Sequence, residues 1–156
     1  MTADPTLLWS LVLALHLLAA VVWVGGMAYT LLVLRPALNV LEPAQRNQMH
    51  LQTLRRFFLV VWHAMPLVLL TGWAMVFGVY GGFRALPEQV NIMQGLAVVM
   101  AVIFVAVFFG PWQRFRRAIR PGPELVARIR RLITVNLVLG VVIIVAAAVG
   151  HGFGYR

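Results

Sequence analysis

The chain has 156 residues, 62% of them hydrophobic and only 11% charged, with a formal net charge of +9. Soluble domains carry about 25% charged residues, so these charges cannot cover a water-soluble globule of this size, and a single domain of membrane-spanning helices is the reading that remains. All thirteen basic residues are arginines and most stand between apolar stretches, which is how topology is encoded and leaves no basic, base-stacking surface for nucleic acid.

Cysteine is absent, which excludes disulfides, thiolate metal sites and covalent haem attachment. The first residues lack the basic region of a cleavable signal, so the first apolar stretch is read as a retained helix.

Four helices follow in chain order. The first is expected over about 6–34, with Asp4-Pro5 as its start signal and Arg35-Pro36 as its end. A polar, partly helical connection over 35–53 leads to a second helix over about 54–79, with Pro66 inside it as a predicted bend. A short turn over 80–88 precedes the third helix, about 89–112. A basic loop around Pro121-Gly122-Pro123 precedes the fourth, about 132–150, before a glycine-rich tail. Each stretch is long enough to cross a hydrocarbon core of about 30 Å. The expected fold is an all-α bundle of four transmembrane helices in one domain.

Eleven of the thirteen arginines fall in the first and third connections and their helix junctions; only Arg84 and Arg156 fall on the other side. The positive-inside rule then puts both basic connections in the cytoplasm and both termini outside. The basic loop over 113–131 is expected against anionic lipid head groups.

A polar side chain in hydrocarbon is costly and needs a reason. His16 lies roughly 10 Å along the first helix from Trp9, at about 1.5 Å per residue. Trp9, His16, Trp23 and Thr30 recur every seven residues and share a face. A histidine between tryptophans suits a haem ligand; a hydrogen bond to a neighbouring helix explains it equally simply. His63 lies about 10 Å in from Arg55 and Arg56 on the second helix. It therefore sits at a different depth from His16, which is unfavourable for two axial ligands of one iron. His151 ends the fourth helix on the side of His16, and His50 reads as a solvated loop residue. Asn91, Met93 and Gln94 open the third helix, where Met93 offers a thioether to haem iron or Cu(I) and the amides could bond His16. Arg56 could pair with haem propionates, lipid phosphate or water. The four acidic side chains, Asp4, Glu42, Glu88 and Glu124, all lie outside the spans. A carboxylate proton relay within the bilayer is thus not expected, and no phosphate-binding glycine motif occurs.

The segment from Leu15-His16 through Trp23-Val24-Gly25-Gly26-Met27 resembles the first helix of the copper resistance D (CopD-like) membrane proteins. Arg56-Phe57-Phe58, Leu70-Thr71-Gly72, Asn91-Ile92-Met93-Gln94-Gly95, Pro111-Trp112-Gln113-Arg114 and Asn136-Leu137-Val138-Leu139-Gly140 resemble its later helices. The similarity extends more distantly to HemJ-type protoporphyrinogen oxidase. It implies a four-helix protein of the bacterial inner membrane. The expected function is haem b binding, for electron transfer or a quinone- or porphyrin-linked redox reaction, with copper uptake or resistance as the alternative and a structural membrane subunit as the third. His16 would anchor the cofactor, His63 or His151 would compete as second ligand, and Trp9 and Trp23 would pack on the ring. For copper the donors would be His16, Met27, Met93 and His151. Where the family pattern has a histidine, this chain has Asn91, which puts a bis-histidine site between the first and third helices in doubt. A quinone or redox protein, and a second copy of the chain, are the expected partners besides lipid.

Overall fold

The computed structural model describes residues 5–118 and 122–152. Four helices are long and apolar enough to cross a membrane: α1 (Pro5–Tyr29), α2 (Pro43–Gly78), α3 (Glu88–Val107) and α4 (Pro123–Gly152). Large apolar residues such as Leu11, Val21, Leu32 and Leu70 point away from the bundle, the pattern of helices that lipid surrounds.

The helices run well past the apolar stretches. α2 begins at Pro43, not near 54, so most of the expected polar connection, His50 included, is helical. α4 begins at Pro123, not near 132, and beyond α3 the chain stays helical to Arg117. Hydropathy ends a span where arginines begin, whereas arginine is among the better helix formers. The true starts are set by Pro43 and Pro123 at the first helical position, where a missing N–H costs nothing.

Among the described residues two turns are π-helical, Thr30–Leu34 after α1 and Phe108–Trp112 after α3. Pro36 follows the first and Pro111 lies inside the second. A proline ring presses on the carbonyl four residues back and removes one helical bond; a wider turn relieves both. In the first, Arg35 N–H reaches back five residues to the Thr30 carbonyl, and the Thr30 hydroxyl donates to Gly26 O at 2.8 Å. The α1 continuation closes with a 3-10 turn, Leu38–Val40. Its last carbonyls are met by Arg46, whose guanidinium donates to Leu38 O, Asn39 O and Leu41 O at 3.2, 3.1 and 3.0 Å. Leu38 O also accepts from Leu41 N–H, so Arg46 supplies acceptors that the helix end leaves short of donors and ties the hairpin between α1 and α2. α2 itself stays α-helical through Pro66. The connection to α3 reverses at Gly81 and Gly82, with φ of 72° and 115°, a region glycine enters without penalty.

α1 packs most closely on α2, and α3 on α4, while α1 also meets α4. Within a bilayer, helices associate through close packing and polar contacts because lipid is as apolar as leucine. Small residues therefore receive large ones. Trp9 lies against Gly78, His16 against Gly72 and Phe57 against Gly26, in the antiparallel order of α1 on α2. Gly140 of α4 does the same for Val24 and Met100: a methyl group there would stand 2.8 Å from Val24 Cγ2. Towards the arginine-rich end, Phe58 is surrounded by Phe57, Phe104, Phe108 and Trp112 at ring separations of 5.0–5.7 Å. Edge-on and tilted pairs of this kind add to burial energy.

Candidate functional site around His16

His16 lies in the α1–α2 seam, opposite Thr71. Its Nδ1 lies 2.9 Å from the Thr71 hydroxyl. Thr71 has one proton, and its Oγ1 stands 2.5 Å from Leu67 O and 3.2 Å from Val68 O. Those carbonyls can only accept. The proton of Thr71 is thus committed to its own helix, and Oγ1 turns a lone pair to His16. His16 must carry its proton on Nδ1, and Nε2 keeps its lone pair. An imidazole held by a hydrogen bond at one nitrogen, with the other open to bind, is the arrangement used by metal-ligating histidines. Gly72 completes the cradle: a methyl group there would come within 3.3 Å of His16 Cε1. Thr71 was not anticipated as this partner, although a β-branched hydroxyl beside glycine in an apolar helix is the available signal.

The other expected site residues do not gather round His16. His63 points away from the bundle and donates from Nδ1 to Leu59 O of its own helix at 2.8 Å. Thr71, which touches His16, lies eight residues further along α2, about 12 Å of rise. His16 and His63 thus belong to different levels, as the depth reading expected. The His151 side chain lies outside the described residues. Arg56 and Asn91 are exposed, Met93 is half-buried, and the Gln94 Nε2 is buried without a hydrogen-bond partner. Among the described residues, no three or more His, Asp or Glu side chains come together to hold a metal ion.

The two tryptophans expected on a porphyrin are used otherwise. The Trp9 ring covers Gly78, and Trp23 is an interior residue, 2% exposed. A side chain at 78 would collide with the Trp9 ring, so glycine there makes room for it. Heptad spacing marks a shared face but does not distinguish a ring packed on protein from one packed on a cofactor. Trp23 is thus enclosed by protein, while Trp9 packs on Gly78 and stays half-buried.

A family model described as CopD, copper resistance protein D, matches residues 51–150, from within α2 to the end region of α4. His16 and α1 precede the matched segment. An uncharacterized protein of Aquifex aeolicus (strain VF5) is 32% identical over 103 residues, 65% of this chain and 68% of that relative. No solved structure matches the chain.

Proposed function

This chain belongs to the copper resistance protein D family, and from that premise we propose that it handles copper, passing Cu(I) through or along the α1–α2 seam with His16 Nε2 as an entry ligand. The observation that carries the reading is the anchored imidazole: Thr71 fixes the tautomer that leaves Nε2 able to bind. Imidazole and thioether suit Cu(I). With cysteine absent, histidine and methionine are the soft donors the chain has. A sparse donor set favours passage over storage, because a conducted ion must bind weakly enough to leave. The arginine distribution supports a cytoplasmic basic end with both termini outside, in a bacterial inner membrane.

A second reading, haem b held by His16 for electron transfer, rests on the same free Nε2. It is weaker because Trp23 is enclosed by protein and, among the described residues, no second histidine stands near His16. If it held, His16 would supply the iron ligand and the haem would supply the redox chemistry.

Cells producing the wild type or His16→Ala, matched for inserted protein, are compared for copper content after a copper pulse. Purified samples are scanned with and without dithionite. The copper reading expects His16→Ala to lose the copper effect and the wild type to lack a Soret band. Unchanged copper content in cells making the wild type overturns it, and a Soret band with stoichiometric iron replaces it with the haem reading.

A further inference from the structure

Two buried polar atoms near the centre of the bundle have no hydrogen-bond partner: Nε1 of Trp23 on α1 and Oδ1 of Asn136 on α4. Their residues are 2% and 3% exposed. The other half of the Asn136 amide is engaged, its Nδ2 donating to Met100 O of α3 at 3.1 Å, which fixes the amide orientation and makes the orphan atom the acceptor. Trp23 and Asn136 line one cavity, whose other walls include Met27, Phe57, Phe58 and Phe104. The cavity offers about 10 Å³ to the centre of a water molecule, close to the space that one water needs. A lone donor and a lone acceptor thus sit on two residues that line one void of one-water size.

We propose that this cavity is a binding site for a single ordered water, which accepts from Trp23 Nε1–H and donates to Asn136 Oδ1. Its second proton turns to the Met27 thioether or an aromatic face. The chemistry selects water over a metal ion: the indole N–H presents a positive edge, no anionic group lines the wall, and a cation there would leave the donor unsatisfied. The bridge would join α1 to α4 while the same amide joins α4 to α3, so one asparagine and one water would tie three helices together. A bridging water of this kind is nearly as good as a direct bond.

A structure of the wild type in nanodiscs at water-resolving resolution is expected to show one density peak within hydrogen-bond distance of both atoms. A dry cavity, or Trp23 Nε1 bonded directly to Asn136, overturns the proposal. Ultraviolet resonance Raman provides a second readout. The wild-type minus Trp23→Phe difference spectrum isolates this indole among five and should show a hydrogen-bonded N–H. In Asn136→Leu the band should move to the free-indole position, and Asn136→Asp, which keeps the acceptor oxygen, should restore it. A free-indole band in the wild type also overturns the proposal.

Discussion

Replacing Thr71 by valine keeps the side-chain shape and removes one oxygen. In the folded protein that oxygen accepts from His16 Nδ1–H at 2.9 Å and donates to carbonyls of its own helix. The Leu67 and Val68 carbonyls lie inside α2 and keep their helical N–H partners, so the loss falls on the histidine, which is left with the Val68 backbone alone beside its ring. Interhelical side-chain bonds in membranes average about 0.6 kcal/mol and reach about 1.7. Thr71→Val should therefore lower stability by roughly 0.6–1.7 kcal/mol, a modest loss that leaves the bundle folded. The effect on ligand binding should be larger. Without its acceptor the ring is free to exchange tautomers and turn, and loss of such an outer partner typically weakens metal affinity about 10–100-fold. Nitrogen-15 spectra of labelled histidine report the tautomer, and competition with a Cu(I) chelator reports affinity. Thr71→Ser, which keeps the hydroxyl, should resemble the wild type in both. If Thr71→Val retains the wild-type tautomer and affinity, the assignment of the Nδ1 proton and the role of Thr71 are both refuted.

Gly78→Leu should destabilise the α1–α2 pair by about 1–3 kcal/mol, the cost of overpacking, because any side chain there meets the Trp9 ring; thermal unfolding would show it, and adding Trp9→Ala should recover part of the loss. Arg46→Ala should speed amide exchange over residues 38–46, at a cost on the order of 1 kcal/mol, since Asn39 O and Leu41 O lose their donor while Leu38 O keeps the Leu41 N–H. His63→Ala should change stability by less than about 0.5 kcal/mol and leave copper affinity as it was, since the ring faces outward and bonds its own helix; a loss of copper binding there would move the site from His16 to His63.

The architecture was readable because hydrocarbon demands about twenty apolar residues per span, and four such runs are plain in the sequence. The helix ends were not, because the outermost turns at the arginine-rich end are held by backbone bonds, proline starts and the Arg46 cap rather than by hydropathy. His16 stood out as a polar group that needed a partner. Its partner was hidden, since Thr71 looks like any hydroxyl in an apolar helix until the α1–α2 register is known. The contact of Trp9 was hidden for a related reason: Gly78, on which it packs, stands sixty-nine positions away. Asn136 stands in a segment that resembles the family, but its bond to the Met100 carbonyl depends on how closely α3 and α4 approach.

The two π-turns have a consequence for how this chain tolerates changes of length. A regular helix advances about 100° per residue, so removing one residue rotates everything beyond it and scrambles its faces. A single π-turn already contains one residue more than the α-helical path requires. Deleting a residue within Thr30–Leu34 or Phe108–Trp112 would straighten the coil there and leave the flanking faces in phase, while the same deletion mid-span in α1 would turn His16 and Trp23 relative to each other. Those two turns are where the chain can absorb a shortened sequence without re-registering its bundle.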